Sequence, residues 1–399
     1  MSATDGYKIR RFSPERGVWG RLTARDSVLR RLDGIMLLAV LALSMMSTAL
    51  VYSATRNRAE LNHGDPYYFL LRNFFNIGVG MAMAIGAVWV GLRALRGAVV
   101  ILYGISLLLI LAVLTPLGAT INGARSWIQL GGGFSIQPTE FTKITIILMM
   151  ATILAGKVDA GDRAYPDHRT VVEALGLAAL PVMIILLMPD LGSVMVIVVI
   201  VLAVLLASGA SNRWIAGLLA TGVVGCVLVW QLGVLDTYQI NRFAAFANPA
   251  LDPSGVGYNT NQARIAIGSG GLTGAGLFHG SQTTGQFVPE QQTDFIFTVA
   301  GEELGFLGAG TIILLLGVVL WRACRIARES TELYSTIVAA GIVAWFAFQS
   351  FENIGMTLGI MPVAGIPLPF VSYGGSSMFA AWIGVGLLQS IKVQRPMSA

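Results

Sequence analysis

Ten apolar stretches separated by polar segments account for most of the chain: Gly34 to Ser53, Tyr67 to Val90, Ala98 to Leu114, Glu140 to Ala155, Val171 to Met188, Leu191 to Ser208, Trp214 to Val234, Phe295 to Trp321, Thr336 to Ile360 and Ser376 to Ile391. Crossing a bilayer takes about 20 residues at roughly 1.5 Å rise each, so each stretch predicts a spanning helix. Only Pro189 and Asp190 separate the fifth and sixth stretches, and a proline followed by a capping residue predicts a helical hairpin there. The expected fold is an all-α integral membrane protein of ten transmembrane helices, with residues 1–32 as a basic tail, 33–392 as the membrane domain and 393–399 as a short C-terminus. One connection stands out, the sixty residues from Leu235 to Asp294 between the seventh and eighth helices. That is far more than a simple turn needs and predicts a functional segment.

Composition agrees with this reading. Hydrophobic residues make up 55% of the 399 and charged ones 12%, about half the roughly 25% of a soluble domain. The net charge of +5 reads as topology rather than nucleic-acid affinity, because the basic residues flank apolar runs. The tail alone carries eight Lys or Arg, without the short apolar core and small-residue cleavage site of a signal peptide, so it is expected to be retained. Placing it in the cytoplasm puts 19 of the 26 basic residues on the inner side, and an even number of spans returns the C-terminus there. Cys226 and Cys324 are too few and too far apart for a disulfide framework or ligand cluster and read as core thiols.

In that orientation, polar residues that are expensive in lipid gather near the outer face: Arg72 and Asn73, Glu140 and Lys143, Asp190, Glu302 and Glu303, Glu352 and Asn353. Such residues pair with one another or line a wet cavity, and five helices agreeing on one level predict a cavity open to the outside. Glu140 and Lys143 also have i, i+3 spacing, so a structural ion pair is the competing explanation. At the mouth of the eighth stretch stands Asp294, where a carboxylate can meet a lipid-carried substrate and still reach water. Asp is equally a favoured helix N-cap, and position alone favours capping. The glycine-rich GSGGLTG lacks the Lys and Ser/Thr of a phosphate loop, so its glycines are expected to permit turns and close packing of a re-entrant segment. His279 is alone and defines no metal site.

The segments NGARSWIQLGGGFSIQPTEFTK, PDLGS, NQARIAIGSGGLTGAG, VPEQQTDFIFTVAGEELGFLG and FENIGMTLGIMPVAGIPLPFVSYGGSS together resemble the shape, elongation, division and sporulation (SEDS) family. The resemblance covers nearly all of the chain after the tail, and MPVAGIPLPFVSYGGSS looks more like the elongation (RodA-like) branch than the division (FtsW-like) branch. Met188 stands where the family usually has Gln, and Gln292 where it often has His.

This resemblance implies a peptidoglycan glycosyltransferase that polymerises lipid II, the undecaprenyl-diphosphate-linked disaccharide pentapeptide, at the outer leaflet of the bacterial cytoplasmic membrane. It implies a class B penicillin-binding protein transpeptidase and the elongation machinery as partners, besides membrane lipids and with no nucleic acid. Asp294 matches the family's essential aspartate and takes the role of base in an inverting transfer, for which a single carboxylate suffices. Positive charge for the leaving diphosphate is expected from Arg125, Lys143, Arg242 and Arg264, with a divalent cation (Mg or Mn) left open as an addition and no other cofactor. Glu140, Trp127, Glu290, Gln292, Ser372 and Tyr373 complete the substrate-binding candidates. Trp127 is either a sugar platform or an interfacial anchor. The rival readings are a lipid II flippase, a division-specific polymerase and a scaffold without chemistry.

Overall fold

The computed structural model describes residues 31–394, apart from 122–123, 132–133, 160–164, 189, 232, 234–245 and 247–254. Helix α1 (Gly34–Thr55) is followed by the single turn α2 (Ala59–Asn62) and by α3 (Tyr68–Leu114), whose 47 residues bend at Gly91. Gly91 has φ 79 and ψ 153, a backbone that only glycine adopts readily, and so the second and third apolar stretches become two arms of one element. Next come α4 (Pro138–Asp159), α5 (His168–Leu186), α6 (Leu191–Ala207) and α7 (Asn212–Gln231). After them stand α8 (Val256–Ser269), the short α9 (Ser281–Thr284), α10 (Ile296–Glu303), α11 (Gly305–Arg328), α12 (Leu333–Leu358) and α13 (Gly375–Val393).

Among the described residues seven helices are long and apolar enough to cross a membrane, namely α1, α3, α4, α5, α11, α12 and α13, while the apolar α6 is shorter. The hairpin expected around Pro189 and Asp190 forms, although Pro189 itself lies outside the described residues. Asp190 caps α6 by accepting the Ser193 amide and hydroxyl at 3.0 and 2.7 Å. Asp33 and Asp167 cap α1 and α5 in the same way, through the amides of Met36 and Thr170.

Two expectations need correction. The fold is not all-α: between α3 and α4, strands β1 (Gly118–Ile121), β2 (Ala124–Gly131) and β3 (Phe134–Ile136) form an antiparallel sheet in the order β1-β2-β3. Strands of three to eight residues beside glycine-rich turns give too little alternation to register as a sheet. The eighth apolar stretch is not one helix, because Gly305, at φ 66, breaks it into α10 and α11. A Cβ on Gly305 would stand 2.3 Å from the Gly274 amide nitrogen, and one on Gly274 2.2 Å from the Glu303 carbonyl. The Gly271–Gly276 segment thus packs backbone to backbone against the break. The described part of the long connection carries α8 and α9.

Helix α12 is central, packing against α4, α6 and α11, while α13 lies along α3. A ladder of rings from Trp345 through Phe346 and Phe370 to Trp382, with centroids 5.0, 5.3 and 6.4 Å apart, pins the 359–374 loop between α12 and α13.

The polar residues sort to two ends. At one, Asp33 meets Arg322 and Lys392, Arg96 meets Asp159, and Arg93 meets Glu332. At the other, Arg56 and Arg58 donate to the carbonyls of Phe278 and Val288, the second at 2.7 Å, and the Gln137 amide donates to Ser376 Oγ at 2.9 Å. Cys324 is a half-buried free thiol, and the side chain of Cys226 is outside what the structure describes.

Candidate active site at the Asp294 turn

Asp294 lies in a tight turn just before α10, half-buried. The helix N-cap position falls on Phe295, whose side chain makes no capping bond, and Asp294 stands one residue before it. The turn is wound around Glu290, whose φ of 47 is left-handed and whose carbonyl accepts the amides of Thr293, Asp294 and Phe295 at 3.1 to 3.2 Å. The Glu290 carboxylate accepts Thr293 Oγ1 at 3.1 Å and Gln292 Nε2 at 3.4 Å. Beside it, burial pushes the Arg58 guanidinium below its ordinary value, with Glu290 opposing that shift.

Three successive carbonyls of this turn are taken by donors from α12 and the 359–374 loop. Tyr373 N donates to Gln292 O at 2.9 Å, Ser372 Oγ to Thr293 O at 2.5 Å, and Asn353 Nδ2 to Asp294 O at 2.8 Å. Asn353 gives its other amide hydrogen to Ile366 O at 2.8 Å. One turn earlier on α12, Gln349 Nε2 donates to Pro367 O at 2.7 Å, while its Oε1 accepts Trp345 Nε1 at 2.6 Å and Lys143 Nζ at 3.0 Å.

Lys143 is fully buried, pairs with Glu140 at 2.8 Å and lies 4.9 Å from the Trp345 ring centre. Through Gln349 and the Ile366–Pro367 peptide, Glu140 and Lys143 therefore connect to the clasp on Asp294. Sequence reasoning placed Asn353 by depth alone and passed over Gln349. The signal lay in polar residues at helical spacing, Gln349, Glu352 and Asn353, in an otherwise apolar stretch.

A family model of cell cycle proteins, FtsW, RodA and SpoVE, matches residues 34–396. The chain belongs to the FtsW/RodA/SpoVE family. Among similar members, a probable peptidoglycan glycosyltransferase FtsW of Trichlorobacter lovleyi is 35% identical over 91% of this chain and 93% of its own. The peptidoglycan glycosyltransferase MrdB of Escherichia coli K12 is 34% identical over 92% and 95%. A chain from a structure entitled "Structural coordination of polymerization and crosslinking by a peptidoglycan synthase complex" superposes with a TM-score of 0.74 at 30% identity, over 90% of this chain and 97% of that one. This member of the family is an integral membrane protein.

The remaining candidates of this FtsW/RodA/SpoVE member are more scattered. Arg125, on β2, donates to Thr115 O at 2.6 Å, and Trp127 pairs with Ala119 across the sheet, half-buried. Arg264 is exposed on α8 next to Gly359. Arg242 lies outside the described residues. Tyr373 stacks edge-on to Phe69 at 4.9 Å, and burial raises its phenol, with Arg72 pulling the other way. Arg72 itself lies over the rings of Tyr68 and Phe134, at 4.3 and 4.8 Å.

The expected wet cavity takes a different form. Asn73 donates to Ser47 and Thr48 on α1 at 3.1 and 3.3 Å. Glu302 accepts the amides of Gln282 and Thr283 and the Thr283 hydroxyl, and Glu303 accepts Ser53 Oγ and the Phe278 amide. These two carboxylates staple the glycine-rich segment to the helix break. Charged side chains at this level are mostly tie-points rather than a lining.

Proposed function

We propose that this protein is a peptidoglycan glycosyltransferase that polymerises lipid II, with Asp294 as the base. The observation that carries the proposal is the Asp294 turn itself: a half-buried carboxylate outside the cap position, on a backbone held by three donors. Relatives across the chain's length named as peptidoglycan glycosyltransferases support the reaction class. In the step, the 4-hydroxyl of one sugar attacks the anomeric carbon of the next while Asp294 takes the hydroxyl proton. The bond from that carbon to the lipid-linked diphosphate breaks, and the diphosphate leaves with the bonding pair. An α-linked donor gives a β-linked product by one displacement.

Lys143 and Arg125 supply positive charge near the departing diphosphate, and Glu140 sets the position of Lys143. The other substrate-binding candidates, Trp127, Arg242, Arg264, Glu290, Gln292 and Tyr373, keep that role as proposals, with Glu290 and Gln292 also shaping the turn, whereas Ser372 is buried and bonds the turn instead. Among the described residues no three of His, Cys, Asp or Glu gather as a ligand set. The divalent cation, Mg or Mn, is therefore proposed only as a companion of the diphosphate, whose oxygens suit it.

In this reading α3 crosses twice, α10 and α11 cross together, and α6 and α7 complete ten crossings. Residues 1–32 and 393–399 lie in the cytoplasm, and residues 235–294 with the Asp294 end lie outside the bacterial inner membrane. The partner is a class B transpeptidase, consistent with the synthase complex that contains the superposable chain. MPVAGIPLPFVSYGGSS favours an elongation role.

The test is to incubate purified full-length protein with purified lipid II, with and without the transpeptidase. Glycan strands on a gel are expected. Lipid II crossing vesicle bilayers with no strands formed would establish the flippase reading instead. Cysteines introduced in 255–294 should react with an impermeant label on intact cells, and those near Arg325 should not; the reverse pattern excludes lipid II chemistry at Asp294.

A further inference from the structure

A carboxylate acts as a base only if its backbone holds still, and the Asp294 turn is held from outside itself. Its internal backbone bonds all end on one atom, the Glu290 carbonyl, which serves three amides. The opposite edge of the turn presents the carbonyls of Gln292, Thr293 and Asp294, and each finds a donor in a distant part of the chain. Two of the donors are side chains, Asn353 at 0% and Ser372 at 1% exposure. Both are fixed in turn by the 359–374 loop. Asn353 reaches Ile366 O with its second hydrogen, and Ser372 Oγ accepts the Leu368 amide at 2.8 Å.

Asn353 does not need this arrangement to hold its own element, and Ser372 braces its own loop only through the Leu368 amide. Asn353 lies inside α12, where the backbone is already bonded, and the ring ladder pins the 359–374 loop independently. What the two side chains add is a fixed distance between the Asp294 backbone and the loop.

Resting on the reading of Asp294 as the base, we infer that Asn353 and Ser372 are positioning residues, acting on the reaction by clamping the Asp294 main chain rather than by touching substrate. This assigns Ser372, a substrate-binding candidate on sequence grounds, to a different task. A displacement of about 1 Å at a reacting group costs on the order of 100-fold in rate. Loss of a clamp should therefore appear in kcat and leave donor affinity in place.

The experiment measures lipid II polymerisation and melting temperature for Asn353→Ala, Ser372→Ala, Ser372→Thr and Asp294→Asn in the full-length protein. Asn353→Ala and Ser372→Ala should lose roughly 10 to 100-fold in kcat with donor KM within about threefold of wild type. Ser372→Thr keeps the hydroxyl donor and should recover most of the rate, which packing alone does not predict. If Asn353→Ala fails to fold, the Ser372 pair decides. Ser372→Ala and Asn353→Ala both within about twofold of wild type, beside an inactive Asp294→Asn, would overturn this inference and leave the base assignment standing. An active Asp294→Asn would remove the base assignment, and the inference with it.

Discussion

Two sets of buried carboxylates in this bundle are held in opposite ways, Asp33 at one end and Glu140 with Glu352 at the other, where Glu302 and Glu303 are themselves paired. At one end Asp33, 1% exposed, accepts Arg322 Nε and Nη2 at 2.9 and 2.6 Å, Lys392 Nζ at 2.9 Å and the Met36 amide at 3.1 Å. Every acceptor direction is used. At the other end Glu140 Oε2, Asn353 Oδ1, Gln292 Oε1 and both oxygens of Glu352 are buried and find no hydrogen-bond partner among the described residues. Buried polar atoms are nearly always paired, so a concentration of exceptions marks the place where folding has been compromised for another end. The Asp33 cluster joins the start of α1 to the ends of α11 and α13 and serves the fold. The Asp294 end is where we propose that the chemistry takes place.

Breaking the satisfied end should have the largest effect on stability. Asp33→Ala leaves Arg322 and Lys392 partly buried without their counter-charge, and removing one partner of such a group costs about 3 to 5 kcal/mol. The melting temperature should fall steeply, while lipid II turnover per folded molecule at low temperature stays near wild type. A fall in turnover without a fall in melting temperature would erase the contrast between the ends.

At the unsatisfied end, Lys143→Ala should cut processing of the lipid-linked donor by roughly 10 to 150-fold, the loss of a charge-assisted contact worth about 1.5 to 3 kcal/mol. Glu140→Gln sharpens this, because it keeps a partner for Lys143 while removing the charge. If Glu140→Gln matches Lys143→Ala in both melting temperature and rate, the pair serves the fold only.

A smaller effect is expected from acid. Burial opposes ionisation of Asp33, yet the bonds from Arg322, Lys392 and the Met36 amide outweigh it and hold the carboxyl at about 2, below its ordinary 3.8. With the folded value depressed, the stabilisation is complete above about pH 4 and is lost as pH falls towards 2. It amounts to about 2 kcal/mol, and acid melts of wild type and Asp33→Asn should converge across that window.

Much of this was legible in the chain. Among the described residues the apolar stretches fall on helices, seven of them long and apolar enough to span, because spanning needs only length and apolarity, and the hairpin before Asp190 follows from a proline and a cap. The short sheet around Trp127 was not legible because its strands are too short to alternate, and the break at Gly305 was not because it depends on backbone contact with the distant Gly271–Gly276 segment. The same holds at the site. Asp294 is marked by its place before an apolar run and by its motif, whereas the donors on its carbonyls come from residues 59 and 79 positions away. Their pairing is tertiary, and no local pattern announces it.

The most direct test of the account is polymerisation of purified lipid II by Asp294→Asn. An amide preserves size and hydrogen bonding but cannot take the hydroxyl proton. The protein should melt within a few degrees of wild type and lose on the order of 10² to 10⁴-fold in strand formation. A well-folded Asp294→Asn that polymerises at near wild-type rate would contradict the account.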